Sequence, residues 1–193
     1  MNVIDQKLAL EKLKSGSPIV FQTDTLPAIG CLPKFSEMIY KIKKRDIKKP
    51  LIFMGAETSE FDDFVHESAL GDFKYIASCY WPGPLTIIVP SSEKKRSFST
   101  SSDFTIGLRI PNSRMAKLLL TESGPLLTSS ANLSGLPSAT SATEISISLP
   151  NVNILGPVPW ENCSGNASTI ISWANHGKWK IIREGDISIT GIN

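Results

Sequence analysis

"SRMAKLLLTESGPLLTSSANLSG", residues 113–135, decides the fold class. "SRMAKLLLTES" has the pattern of a helix and "PLLTSS" that of a strand, and the strand runs directly into Thr128, Ser129, Ser130, Asn132 and Gly135. A helix followed by a short apolar strand that ends in hydroxyls and amides is a unit of an α/β sheet, whose ligands sit beyond the strand ends. Successive backbone N–H groups in such a turn can form an anion-binding nest, because Asn and Gly tolerate left-handed backbone. A polar turn held by side-chain to backbone bonds accounts for the same residues.

The pattern repeats on the N-terminal side. Asp5 caps a short amphipathic helix carrying Leu8, Ala9 and Leu13 and ending near Gly16, and "SPIVFQT" reads as the first strand. Phe35, Met38, Ile39 and Ile42 form the buried stripe of a second helix, which Pro50 stops before the strand "LIFMG". A third helix over residues 68–80 runs into the turn "WPGP" and the strand "LTIIVP". The serine-rich, charged residues 91–103 read as an exposed connection to the strand "TIGLRIP". Two β-like stretches, "ASTIISW" and "KWKIIREG", close the chain. Helices alternating with strands, then strands dominating, predict an α/β or mixed α+β fold with a twisted sheet and no internal repeat.

A chain of 193 residues predicts one domain, 1–193, with 41% apolar and 20% charged residues typical of a globular protein. The net charge of +2 is too small to argue for bulk electrostatic binding to nucleic acid. Cys31, Cys79 and Cys163 are odd in number, widely spaced and without a C-x-x-C pair, which disfavours a disulfide framework and a zinc site and fits a reducing cytosol. The first seventeen residues mix charged and apolar types, and no apolar run approaches the roughly 20 residues of a membrane span. A cytoplasmic location is the expectation.

No G-x-x-x-x-G-K-[ST], G-x-G-x-x-G or H-E-x-x-H motif occurs, and the only histidines are His66 and His176. A site must therefore be built from Lys, Arg, Ser, Thr and Asn. "FQTDTLPAIG" ends a strand with Thr23, Asp24 and Thr25, as a site or a capping turn would. In "TIGLRIP" a period of two sets Ile106, Leu108 and Ile110 on one face and Thr105, Gly107 and Arg109 on the other. Gly107 there leaves room for a ligand to approach the backbone, although a half-exposed strand also puts Thr and Arg in solvent. In "KIKKRDIKKPL", residues 41–51, Lys43 and Arg45 stand two apart at a helix end, where cations complement the dipole with or without a ligand.

"TDT" with "IG" beyond it, "KKRDIKKPL", "WPGPLT", "TIGLRIP", "SSANLSG", "STI" and "IIREG" occur in the order of the motifs of the YrdC-like L-threonylcarbamoyladenylate synthase family, which the chain resembles from about residue 16 to about 187. The resemblance implies a YrdC-like twisted mixed sheet with flanking helices and a concave, electropositive site, without the additional C-terminal domain of longer members. It implies a nucleotidyltransferase that forms threonylcarbamoyl-AMP and pyrophosphate from L-threonine, bicarbonate or CO2 and ATP. The product serves t6A modification at position 37 of tRNAs reading ANN codons, through downstream threonylcarbamoyl-transferase proteins. By the same resemblance Lys43, Arg45, Ser130 and Asn132 are catalytic, and Thr25, Arg109, Thr128 and Ser168 bind threonine. Arg45, Lys49, Thr105, Ser130, Ser138 and Arg183 bind ATP. Mg2+ is expected with the nucleotide, with no dedicated metal site and with Asp24 as a candidate to help hold it. Pro27, Ala28, Met54 and Ala167 depart from the family pattern. Competing readings are a tRNA- or duplex-RNA-binding module, which clustered cations permit, and a diverged carbamoyl-adenylate-forming paralogue resembling the YrdC-like domain of hydrogenase maturation proteins.

Overall fold

The computed structural model describes residues 1–99, 101, 103–160 and 163–190, so that Thr100 and Ser102 of the expected connection and residues 161, 162 and 191–193 of the expected domain lie outside the described residues. In chain order the elements are β1 Asn2–Ile4, α1 Gln6–Lys14, β2 Ile19–Phe21, β3 Ala28–Cys31, α2 Ser36–Lys43, β4 Ile52–Met54, α3 Glu67–Tyr80 and β5 Leu85–Pro90. They continue with β6 Thr105–Arg109, α4 Arg114–Ser123, β7 Leu126–Ser130, α5 Ala142–Ser148, β8 Asn153–Leu155, β9 Thr169–Asn175 and β10 Lys178–Arg183.

Local chemistry starts the helices where expected. The Asp5 carboxylate accepts from the Leu8 N–H at 2.8 Å and Ser113 accepts from Ala116 at 3.3 Å, caps worth about 1 kcal/mol each. The second helix departs from expectation. It stops at Lys43, well before Pro50, because Lys44 takes a left-handed conformation (φ 50°, ψ 42°). The Arg45 N–H then bonds the Tyr40 carbonyl at 2.9 Å and the Lys44 N–H the Lys41 carbonyl at 3.3 Å, the paired closure of a Schellman motif with lysine where glycine is usual. The connection after β5 is not wholly exposed irregular chain: Glu93–Phe98 forms a 3-10 helix whose Phe98 packs edge-on against Phe53.

The strands form one mixed sheet in the order β1-β8-β2-β3-β7-β4-β6-β5-β9-β10. Along β2, Val20 points to one side and Ile19 and Phe21 to the other, and Leu126 and Leu127 of β7 divide in the same way. One side packs against α2, α3 and α5 through Ile39, Phe73, Ile76 and Ile145. Each such buried side chain contributes on the order of 1.5–3 kcal/mol. The other side is covered by Ala9 and Leu13 of α1 and Ala116, Leu119 and Leu120 of α4, which pack with residues of β2, β3, β4, β7 and β8. No residue of β5, β6 or β9 belongs to that second cluster. The α1/α4 layer thus leaves half of one sheet face uncovered, and Arg109 of β6 and Thr128 and Ser130 of β7 point there.

Candidate functional site

Strand register lays out the floor of the open face. Leu126, still covered by the α1/α4 layer, begins a row that continues into the open face with Met54, Arg109, Thr86 and Ile170 on β4, β6, β5 and β9, and Thr128, Ile52, Gly107 and Ile88 form the next row. Gly107 is needed, but not for a ligand: a Cβ there would lie 2.8 Å from the Ile52 Cγ2, so the Ile52 side chain occupies the space expected to be free.

Arg109 is only 2% exposed, which overturns its reading as a solvated residue of a half-exposed strand. Its Nε donates to the Gly83 carbonyl at 3.2 Å, Nη1 to the Thr25 hydroxyl at 2.8 Å and Nη2 to the Asp24 carboxylate at 2.5 Å. Burial pulls the guanidinium below its ordinary pKa, and the Asp24 charge opposes the shift. Three of its five N–H groups are committed, and the other two remain for an incoming anion. The second Asp24 oxygen is enclosed and lacks a hydrogen-bond partner among the described residues.

Thr25, Arg109, Thr128, Ser130, Ser138, Ser168 and Arg183 line one cavity of about 200 Å3, together with Leu26, Ala28, Ile52, Met54, Thr86 and Ile170. Of the departures from the family pattern, Ala28, Met54 and Ala167 also line it, and the Pro27 carbonyl accepts from the Ala131 N–H at 2.8 Å. Among the described residues, two arginines and no carboxylate line the space. Cavities for drug-sized ligands run to about 300–1,000 Å3, so this one suits a small metabolite, and a nucleotide would extend beyond it. A larger groove of about 530 Å3, lined by Trp81, Ile110, Pro111 and Arg114, contains none of these seven residues.

Ser168 and Arg183 meet through a backbone crossing. Arg183 Nε and Nη2 donate to the Ser168 carbonyl at 3.2 and 2.7 Å, while the Ser168 and Thr86 hydroxyls share a bond of 2.9 Å. The Thr169 hydroxyl accepts from the Gly185 and Ile187 N–H groups at 3.1 and 3.2 Å. Gly185 crosses so closely that any Cβ would overlap the Ala167 carbonyl oxygen and the Ser168 backbone.

Lys43 lies behind the Ser130 wall. It is 1% exposed, its Nζ donates to the Ser130 carbonyl and, at 3.4 Å, to the Asn132 side-chain oxygen, and no carboxylate pairs with it among the described residues. The Ser130 hydroxyl bonds the same Asn132 oxygen at 2.6 Å. Burial, and secondarily the Arg45 charge, pushes the Lys43 amine down to about 8. The expected backbone nest in this turn is overturned. The Ala131, Asn132 and Ser134 N–H groups are taken by the Pro27, Ser130 and Lys43 carbonyls.

The remaining sequence-predicted residues lie apart from the cavity lining. Arg45 donates to the Lys49 and Pro50 carbonyls at 3.1 and 2.9 Å and so holds the loop after α2, and Lys49 is exposed on that loop. Thr105, at the far end of β6 from Arg109, bonds Asp103 and Ser101 at 3.0 Å each. Sequence reasoning gave Thr86 no role although it ends the motif "WPGPLT"; its place next to Arg109 follows from pairing between strands.

Known proteins resemble this chain over most of its length. A threonylcarbamoyl-AMP synthase of Pseudomonas entomophila is 29% identical over 140 residues, 71% of this chain and 75% of the relative. One of Pseudoalteromonas atlantica is 31% identical over 159 residues, 80% and 84% of the two chains. The P. abyssi Sua5 structure, complexed with L-threonine, superposes with a TM-score of 0.85 at 26% identity, covering 96% of this chain, which spans 58% of that protein's length. E. coli YciO shares the fold with a TM-score of 0.80 at 24% identity, covering 100% of this chain and 97% of that one. With residues 11–185 matching the Sua5/YciO/YrdC family, described as telomere recombination, the chain belongs to that family.

Proposed function

We propose that this protein is an L-threonylcarbamoyladenylate synthase, a nucleotidyltransferase that makes threonylcarbamoyl-AMP and pyrophosphate from L-threonine, CO2 or bicarbonate, and ATP, for t6A modification of tRNAs reading ANN codons. The observation that carries it is the buried Arg109, fixed on three sides at the floor of a cavity of amino-acid size. One N–H remains on each of its two terminal nitrogens for a carboxylate, and Thr25, Thr128 and Ser168 stand around the same space.

In this reading the threonine amine, deprotonated, adds to the CO2 carbon, and a carbamate oxygen attacks the α-phosphorus of ATP. The bond to the bridging oxygen of the β-phosphate breaks and pyrophosphate leaves. Every developing charge is anionic, so fixed positive charge and positioning do the catalysis and no histidine is required. Ser130 joins the amino-acid cavity to Lys43 and Asn132, the direction in which the triphosphate would lie, while Ser138 and Arg183 line the same cavity. Arg45, Lys49 and Thr105 sit farther out and would meet the nucleotide at its rim.

No group of three His, Cys, Asp or Glu residues suited to a metal ion occurs among the described residues, and Asp24 is already paired with Arg109. The donor set does not fit a protein-held Mg2+. The ion would enter on the phosphates, which suits its preference for phosphate oxygens and water. No described helix is long and apolar enough to cross a membrane; a cytoplasmic location and transfer of the adenylate to downstream threonylcarbamoyl-transferase proteins belong to the same proposal. Purified protein incubated with ATP, Mg2+, bicarbonate and radiolabelled threonine is expected to yield a labelled adenylate and threonine-dependent pyrophosphate; absence of both refutes the reading.

A further inference from the structure

We infer that Thr86 is a positioning residue of the amino-acid subsite, holding the Ser168 hydroxyl as a donor toward a ligand oxygen anion. The inference rests on the proposed amino-acid cavity. The two hydroxyls, one on β5 and one just before β9, lie 2.9 Å apart, a distance that fits a proton running either way. Their surroundings decide the direction. Thr86 is 0% exposed, and among the described residues its hydroxyl has no partner besides Ser168. Pointed anywhere else, the Thr86 proton would be buried without an acceptor, which is strongly disfavoured.

Ser168 therefore accepts from Thr86, and its hydroxyl also accepts from Arg183 Nη2 at 3.3 Å. A hydroxyl has two lone pairs and one proton, so both acceptor positions are filled and the proton is left for the cavity that Ser168 lines. Two other hydroxyls of the lining run in the opposite sense. Thr128 gives its proton to the Ile52 carbonyl at 3.1 Å and Ser130 gives its own to the Asn132 side-chain oxygen at 2.6 Å, so both keep only lone pairs for a ligand. Ser168 thus works with Arg109 and Arg183, which line the same cavity and favour a negatively charged oxygen. Thr86 acts through Ser168, fixing which way its proton points.

The test is calorimetric binding of L-threonine to wild type, Thr86→Val, Thr86→Ser, Ser168→Ala and the double variant Thr86→Val with Ser168→Ala, each checked for folding by urea unfolding. Thr86→Val replaces the hydroxyl by a methyl of the same shape and is expected to weaken threonine roughly 5-fold, the effect of one hydrogen bond. Thr86→Ser keeps the hydroxyl and should bind within about 2-fold of wild type, although it loses a buried methyl. Ser168→Ala should weaken binding at least as much as Thr86→Val, and adding Thr86→Val to it should cost nothing more. Unchanged or tighter binding in Thr86→Val overturns the inference, because a Ser168 proton that ran to Thr86 would be released to the ligand by that change. Equal weakening in Thr86→Ser, or full additivity in the double variant, assigns Thr86 to packing and overturns it as well, and so does wild-type binding by Ser168→Ala. Absence of threonine binding by wild type overturns the amino-acid reading together with the inference, whereas binding that does not respond at Thr86 sinks the inference alone.

Discussion

Replacing Lys43 by methionine tests whether the amine is as deeply desolvated as its surroundings imply. The unfolded chain holds the lysine proton up to about 10.4, while the folded site releases it near 8. A lysine whose folded pKa is lowered is destabilising below that pKa, and the penalty fades as pH climbs toward the unfolded value. Between those limits the unfolded state binds more protons, so stability rises with pH at about 1.4 kcal/mol per unit. From pH 7 to pH 10 this amounts to about 2 kcal/mol, all of it from one side chain. Lys43→Met removes that component while the other titrating groups remain, and the donors lost to Ser130 and Asn132 shift its stability by a nearly constant amount. Urea unfolding of both proteins at several pH values from 7 to 10 should give a wild-type curve that rises about 2 kcal/mol more steeply than the variant. Parallel curves would show that the amine is not held in a low-dielectric site, and the account of Lys43 would fail.

Arg109→Lys keeps the charge but loses the fork and leaves Thr25, Asp24 or Gly83 short of a donor, so threonine-dependent kcat/KM should fall about 100-fold in steady-state assays with a smaller change in the KM for ATP. Gly185→Ala should destabilise by about 2–3 kcal/mol in urea, because the added methyl overlaps the Ala167 and Ser168 backbone. Lys48→Ala should leave both stability and activity within about 0.5 kcal/mol of wild type, since its side chain is exposed; a marked loss of activity would show that the cation assignment is too loose.

The helix and strand pattern from "SPIVFQT" to "PLLTSS" was legible because apolar spacing and caps are local. Residues that the sequence could not place are the ones whose surroundings come from distant chain. β1 and β8 are three residues each and pair in parallel across about 150 residues, too short for any periodicity to register. The same holds for β3, four residues between two loops, and for α5, hidden in a serine- and threonine-rich stretch until Ser141 is seen to cap it. Arg109 looked ambiguous since alternation gives its face but not whether a helix covers that face. Lys43 was harder still. Five of the first eight residues of "KIKKRDIK" are basic, which points to solvent, and only the turn around Ser130 and Asn132 encloses the amine. The motifs did name residues that meet in one cavity, Thr25, Arg109, Thr128, Ser130, Ser138, Ser168 and Arg183, although no single motif says which of them touch.

The left-handed step at Lys44 gives meaning to the middle position of the Lys-x-Arg pair. In a continuing helix residues two apart project in nearly opposite directions, about 200° around the axis, so a cation pair at that spacing could not serve one site. Because the helix ends between them, Lys43 turns into the protein while Arg45 braces the returning loop. The middle residue is therefore constrained by its backbone and not by its charge. Glycine or asparagine should be interchangeable with lysine there, and valine or isoleucine should not, whatever the charge of the replacement.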